Sequence, residues 1–184
     1  MRFFITGGTG FVGSTVCREL LGRGHHVSVL TRDLSKAKAL PKEINVVEGD
    51  PTKKGQWQEK VAAHDVVINL AGSCIFTRWT KKAKKVIRDS RLQSTRNVVD
   101  ALSSRTREDT LLLSTSAVGY YGFRGDEELS EDSPPGEDFL AILARDWERA
   151  AYEAEKYGVR VITCLLYTSP SPRDLSTSRM PSSA

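Results

Sequence analysis

The residues with the most legible chemistry stand at the start of the chain. A strand-like run, Arg2-Phe3-Phe4-Ile5-Thr6, leads straight into Gly7-Gly8-Thr9-Gly10-Phe11-Val12-Gly13. Two glycine spacings overlap there. Gly8, Gly10 and Gly13 give G-x-G-x-x-G, while Gly7, Gly10 and Gly13 give G-x-x-G-x-x-G. Glycine lets the backbone approach a pyrophosphate with no Cβ in the way. The free N–H groups and the dipole at the next helix start then face the anion. Either spacing alone is a weak signal, but here a strand precedes it and an amphipathic pattern follows. The competing explanation is a glycine-rich turn that holds no ligand.

A dinucleotide site places the adenosine ribose at the end of the second strand, where an acidic side chain suits NAD and an arginine suits the 2′-phosphate of NADP. The chain reads Thr31-Arg32-Asp33 at that point. Guanidinium pairs well with phosphate, so NADP is the expected cofactor, and Asp33 leaves NAD open. Asp50 ends the third strand on the same edge. It is expected either to accept from the adenine amino group or to cap a helix before Pro51. Asn69-Leu70-Ala71-Gly72 ends the fourth strand, and its small residues let a cofactor pass close to the backbone.

These residues need a scaffold that brings strand ends to one edge, and the pattern supplies it. Strand and helix signals alternate along the chain, which predicts an α/β fold with a doubly wound parallel sheet. Strands are expected at His26–Thr31, Ile44–Glu48, Asp65–Ala71, Leu111–Thr115 and from Val159. Helices are expected from about Phe11 to Arg23, over Ser35–Leu40, Trp57–Ala63, Thr80–Ser103 and Asp138–Tyr157. With 184 residues, 39% hydrophobic and 27% charged, the chain can bury one full core. A net charge of +4 does not by itself argue for nucleic acid. Cys17, Cys74 and Cys164 fit neither a zinc spacing nor a disulfide framework, so no metal and a reducing, cytoplasmic setting are expected. Cys74 is read as a small buried residue. No leader or membrane-spanning run is apparent.

The motifs TGGTGFVG at 6–13, NLAG at 69–72 and STSAVGYYG at 114–122 resemble the short-chain dehydrogenase/reductase superfamily in its extended, epimerase/dehydratase-like branch. RWTKKAKKVIRDSR at 78–91, the acidic stretch at 126–141 and RDWE at 145–148 narrow the resemblance to its epimerase-family subgroup, whose substrate is generally unassigned. The resemblance covers about residues 1–163 and implies a Rossmann-type NAD(P)-binding domain. It implies that Gly7, Gly10, Phe11, Val12 and Gly13 form the pyrophosphate turn, and that Thr31 and Arg32 meet the adenosine phosphate. Leu70, Ala71 and Gly72 would lie beside the nicotinamide ribose. Arg91 would reach the cofactor, unless it is a surface helix charge. Ser116 would hydrogen-bond the reacting oxygen of a small-molecule substrate, often a sugar nucleotide. A homodimer through the two long helices is a further implication.

The superfamily's usual acid/base is a tyrosine followed one helical turn later by a lysine. The start of the helix after the fifth strand, Phe139-Leu140-Ala141-Ile142, has neither. One such pair occurs, Tyr152 and Lys156, but at the far end of that helix, away from the strand ends. Tyr120 and Tyr121 follow Ser116 on the correct edge and are candidate substitutes, with Arg145 as the missing positive charge. The departure leaves two functions open: an NADP-dependent oxidoreductase or epimerase, and a catalytically weak NADP-binding regulatory protein. Lys81, Lys82, Lys84, Lys85 and Arg88 form a basic helix face, read as solvated rather than as a nucleic-acid site. After Thr163 the composition turns to Ser, Pro, Thr and Arg. Residues 164–184 are therefore expected to be a disordered, non-native tail, leaving the sheet incomplete at its C-terminal end.

Overall fold

The computed structural model describes residues 1–166. Strands β1 (Arg2–Thr6), β2 (His26–Thr31), β3 (Asn45–Glu48), β4 (Val66–Asn69), β5 (Leu111–Ala117) and β6 (Arg160–Leu166) form one sheet in the order β3-β2-β1-β4-β5-β6. Every pairing is parallel. Helices α1 (Phe11–Gly22), α2 (Leu34–Ala37), α3 (Trp57–Val61), α4 (Lys81–Leu102) and α5 (Phe139–Tyr152) make the crossovers. This is the doubly wound order of a Rossmann fold. The chain reverses direction across the sheet between β1 and β4, which opens a crevice at their carboxyl ends.

The side-chain alternation of the strands divides the core in two. Phe4, Val67 and Leu112 pack with Val98 and Leu102 of α4 and Ala151 of α5. Phe3, Ile5, Val66 and Ile68 turn the other way and pack with Cys17 of α1. Burial on both faces is what a parallel sheet requires, and it explains why β1 and β4 read as almost continuous apolar runs. The helix starts are fixed locally. Thr80 accepts from the Ala83 N–H at 3.1 Å to cap α4. Asp138 accepts from Leu140 and Ala141 at 2.8 and 3.0 Å to cap α5.

Several expected boundaries move: α2 stops at Ala37 rather than Leu40, α3 at Val61 rather than Ala63, β4 at Asn69 rather than Ala71, and β5 runs on to Ala117. The helix expected to run to Tyr157 is α-helical only to Tyr152, then tightens into a 3-10 turn over Glu153–Tyr157 and ends at Gly158 with φ +72°. The sixth strand runs past Thr163: Cys164, Leu165 and Leu166 pair with Thr115, Ser116 and Ala117. Backbone partners on β5 outweigh the local change of composition there, so those three residues are not tail. The rest of the expected disordered tail lies outside the described residues.

Candidate functional site

The turn between β1 and α1 is built by close approach. Gly7 has φ +71°, and a Cβ there would stand 2.8 Å from the main-chain carbon and oxygen of Leu70. A Cβ on Gly13 would stand 2.3 Å from the Gly7 carbonyl oxygen, so α1 packs directly on the turn that precedes it. Gly10 is the N-cap and has no side chain to cap with, and the first turn of α1 carries no acidic residue. The N–H groups opening α1 are thus left for an anion. Phe11 is 75% exposed, and neither its side chain nor that of Val12 lines the crevice. What these two residues bring is main-chain N–H.

The crevice is a cleft of about 250 Å³, and Gly7, Gly10, Thr31, Arg32, Leu70, Ala71 and Gly72 all line it. Lys36, Thr52, Ser73 and Ser90 line it too, and the sequence did not single these out. A larger hollow of about 620 Å³ lies between α4 and α5, but it is walled by charged surface residues such as Arg96, Asp100 and Arg149 and shares no residue with the glycine turn. The smaller cleft is the one that carries the glycine turn.

At the β2 end, Thr31 is buried and its hydroxyl closes a local turn, donating to the Asp33 carbonyl at 3.0 Å and accepting from the Asp33 N–H at 3.2 Å. Arg32 is left exposed at the cleft wall. Asp33 lines the cleft as well, and one of its carboxylate oxygens is committed locally. Its Oδ1 accepts from the Ser35 N–H at 2.9 Å and the Ser35 hydroxyl at 2.5 Å, capping α2. Those bonds hold its pKa below the usual carboxylate value. Asp50 behaves alike. Its Oδ1 accepts from the Thr52 N–H and hydroxyl at 3.0 and 2.8 Å, closing a turn through Pro51 rather than capping a helix. Partial burial raises its pKa, but Thr52 and the nearby Arg32 charge outweigh that and leave it lowered. Asp50 itself does not line the cleft; its neighbours Pro51 and Thr52 do.

Beneath the Leu70–Gly72 floor runs a buried polar ladder. Thr6 Oγ1 donates to Asn69 Oδ1 at 2.7 Å and accepts from the Ala71 N–H at 3.3 Å. Asn69 Nδ2 and Trp147 Nε1 both donate to Thr95 Oγ1, each at 2.8 Å. The ladder ties β1, β4, α4 and α5 to the cleft floor. Arg91 is no surface charge. It is partly buried, donates from Nη1 to the carbonyls of Ser73 at 3.0 Å and Ile87 at 3.2 Å, and lies over the Trp147 ring at 5.3 Å. A Cβ on Gly72 would come within 3.0 Å of its guanidinium carbon, so Arg91 braces the cleft edge. Burial lowers its pKa.

The catalytic candidates stand apart from that cleft. Ser116 is 2% exposed near the carboxyl end of β5, and its Oγ has no hydrogen-bond partner among the described residues. Tyr120 and Tyr121 fall on a 3-10 turn, Val118–Tyr121, with their rings edge to face at 5.2 Å. Tyr121 is buried and borders a separate hollow with Gly122 and Asp138. Arg145 pairs with the adjacent Asp146 at 3.2 Å, while its Nε is buried without a partner. None of the four lines the glycine-turn cleft. Tyr152 and Lys156 do not engage one another: the Tyr152 hydroxyl meets Thr163 at 3.3 Å and Lys156 pairs with Glu153 at 3.1 Å. Lys84 is not simply solvated. Its ammonium lies over the rings of Trp79 at 5.7 Å and Phe139 at 5.0 Å. Cys74 is exposed, not buried, because the loop after Gly72 carries it outward.

Residues 3–183 match the model of the NAD dependent epimerase/dehydratase family. The chain belongs to that family. It is 37% identical over 158 residues to the epimerase family protein SDR39U1 homolog, chloroplastic, of Arabidopsis thaliana, covering 85% of this chain and 46% of that protein. It is 39% identical over 164 residues to epimerase family protein SH2119 of Staphylococcus haemolyticus, covering 88% and 52%. The chain therefore spans about half the length of the curated relatives it matches. A nucleoside-diphosphate sugar epimerase from Corynebacterium glutamicum superposes with a TM-score of 0.73 at 33% identity, over 90% of this chain and 33% of that one. Human epimerase family protein SDR39U1 (isoform 2), solved with NADPH, gives 0.71 at 25% identity, over 97% and 59%.

For a member of the epimerase/dehydratase family, the glycine turn, the uncapped start of α1 and the cation beside the β2 end fit a nicotinamide dinucleotide. The cradle would be filled by any Cβ on Gly13 or Gly7, which supports its use for close backbone approach. Thr95 was not singled out in the sequence, and Trp147 entered only as part of the RDWE motif, with no structural role attached. Their roles exist only because α4 and α5 lie side by side under β4.

Proposed function

We propose that residues 1–166 belong to the NADP-binding domain of an oxidoreductase or epimerase of the extended short-chain dehydrogenase/reductase type. The substrate class proposed is a sugar nucleotide, in line with the name of the 33%-identical Corynebacterium neighbour. The observation that carries the cofactor preference is the geometry after β2: Arg32 stands exposed in the cleft with no side-chain partner among the described residues, while Asp33 Oδ1 caps α2 through Ser35. The NADPH bound to the human relative agrees with it.

In this reading the opening amides of α1 hold the pyrophosphate and Arg32 meets the 2′-phosphate. The Thr6–Asn69–Thr95–Trp147 ladder keeps the Leu70–Gly72 floor rigid, and Arg91 pins the Ser73 carbonyl at its edge. Bound NADP would supply two-electron redox chemistry at the nicotinamide. The Ser116 hydroxyl, with its hydrogen-bonding capacity unused, would bind the reacting oxygen of the substrate, and Tyr120 is the better-exposed of the two candidate proton carriers. Titration with NADPH and NADH, followed by a turnover assay on a panel of sugar nucleotides, tests the proposal. Tighter NADPH binding with turnover supports it; tighter NADH binding contradicts the cofactor assignment.

A second reading, a binding protein with little catalysis, is favoured by the first turn of α5, which has no tyrosine and no lysine. NADPH binding without turnover by a protein containing this domain across that panel would select it.

A further inference from the structure

The amino edge of the sheet, opposite the glycine turn, carries a chain of hydrogen bonds that the cofactor reading does not use. Ser28 on β2 pairs in register with Asn45, the first residue of β3, and meets His64, which precedes β4. His64 Nδ1 lies 2.6 Å from the Lys60 carbonyl, and its Nε2 lies 2.9 Å from Ser28 Oγ. A carbonyl only accepts, so in the neutral ring Nδ1 carries the hydrogen and Nε2 is the acceptor. Ser28 therefore donates to Nε2, and its oxygen accepts from Asn45 Nδ2 at 3.2 Å. The imidazole also stands edge-on to Phe4, with ring centres 5.3 Å apart, which fixes its plane. Burial lowers its pKa. The charges of Arg2 and Arg107 act in the same direction, against the Lys60 carbonyl and Asp65, so the ring is a free base at neutral pH. The network is not sealed. Ser28 keeps 6% of its surface exposed, and Arg2, Ser28, Asn45 and His64 together line two hollows of about 560 and 600 Å³. The Arg2 guanidinium makes no hydrogen bond or ion pair among the described residues.

We propose that Ser28 and His64 form a second active site, a nucleophile and its base, for acyl transfer from a small carboxylic ester to water. A hydroxyl becomes a useful nucleophile when a base within hydrogen-bond reach is itself oriented by a third group, here the Lys60 carbonyl. Ser28 Oγ attacks the ester carbonyl carbon while its proton passes to His64 Nε2. The displaced electron pair gathers on the carbonyl oxygen, where the Asn45 amide and the Arg2 guanidinium are the N–H donors at hand. That pair returns, the bond to the ester's alcohol oxygen breaks, and His64 hands its proton to the departing alkoxide. Water, deprotonated by His64, then adds to the acyl carbon on Ser28. The acid leaves, and the proton returns from His64 to the Ser28 oxygen.

The purified chain is treated with diisopropyl fluorophosphate and mapped by peptide mass, and the adduct is expected on Ser28. Hydrolysis of p-nitrophenyl acetate should exceed the buffer rate and fall about a hundredfold in Ser28→Ala and in His64→Gln. Asn45→Ala should lower it about tenfold by removing one donor to the oxyanion. Asn45 is exposed on the edge strand, so that variant keeps the core intact; circular dichroism checks that each variant is folded. If His64→Gln unfolds, the Ser28 adduct and the Asn45→Ala rate decide. The proposal is overturned if Ser28 takes no adduct in the unaltered protein. It is also overturned if folded Ser28→Ala hydrolyses the ester as the parent does, which would assign the activity to the neighbouring imidazoles of His25 and His26. An Asn45→Ala rate equal to the parent's would remove Asn45 from the oxyanion.

Discussion

Two glycines on the same helix should respond in opposite directions to the same change. In Gly13→Ala the new Cβ would meet the Gly7 carbonyl oxygen at 2.3 Å and the Gly8 Cα at 2.7 Å. Both are backbone atoms, so relief requires α1 to lift from the turn. Overpacking of this kind costs about 1–3 kcal/mol, and contact with backbone puts it near the upper end. Alanine returns about 1 kcal/mol of helix propensity. The net loss is about 2 kcal/mol, which for a domain of this size lowers Tm by roughly 4–8 °C. Gly22, in the last turn of α1, has nothing within 4 Å of its would-be Cβ. Gly22→Ala should therefore stabilise by about 0.5 kcal/mol and raise Tm by roughly 1–2 °C. Thermal denaturation of the two variants beside the parent reads both signs. A Gly13→Ala protein as stable as the parent would mean that α1 does not seat on the glycine turn, and the cleft described here would lose its back wall.

Thr95→Val keeps the shape of the ladder but leaves the Asn69 amide and the Trp147 indole N–H without an acceptor. A loss of about 3 kcal/mol is expected in denaturant unfolding, and Thr95→Ser should recover most of it. His64 is buried, its Nδ1–H donating to the Lys60 carbonyl at 2.6 Å and its Nε2 accepting from the Ser28 hydroxyl at 2.9 Å. Burial lowers its pKa, more than the Lys60 carbonyl restores it. The unfolded chain then takes up this proton more readily than the folded one, so stability is full above about pH 6.5 and falls as pH drops towards the folded value. His64→Gln should flatten that part of the stability profile, and an unchanged slope would refute the assignment. Burial pushes the Cys17 thiol up to about 11, whereas Cys74 is exposed. A thiol reagent at neutral pH should label Cys74 in the folded protein and reach Cys17 only on unfolding.

Much of the scaffold was legible because its signals are local. The second strand was read at His26–Thr31, where the structure has it, since an apolar run is bounded by Gly24 and by Arg32-Asp33. The ends of α4 were read from Thr80 and Ser103, which serve as its caps. The end of α5 was not legible, because an α-turn and a 3-10 turn differ in hydrogen bonding and not in apolar pattern. The end of β6 was misjudged for a different reason: Leu165 and Leu166 are held by pairing with Ser116 and Ala117, which composition does not report. In the site, the glycines and Arg32 could be read from type and position. The burial of Arg91 could not, since it depends on Trp147 from another helix. The exposure of Cys74 was missed because it depends on the path of a loop. The turning of Asp33 onto Ser35 was within reach, since an Asp-x-Ser run ahead of a short helix is a capping pattern.

Main-chain amides at the start of α1 are proposed to receive the pyrophosphate of a nicotinamide dinucleotide. Amide NMR of the isotopically labelled chain during titration with NADPH tests it directly. The largest shifts are expected at Gly10, Phe11, Val12 and Gly13, with further shifts at Arg32 and at Ala71-Gly72. Unmoved amides at Gly10–Gly13 under saturating NADPH, or shifts gathered instead at Arg96, Asp100 and Arg149 between α4 and α5, would contradict it.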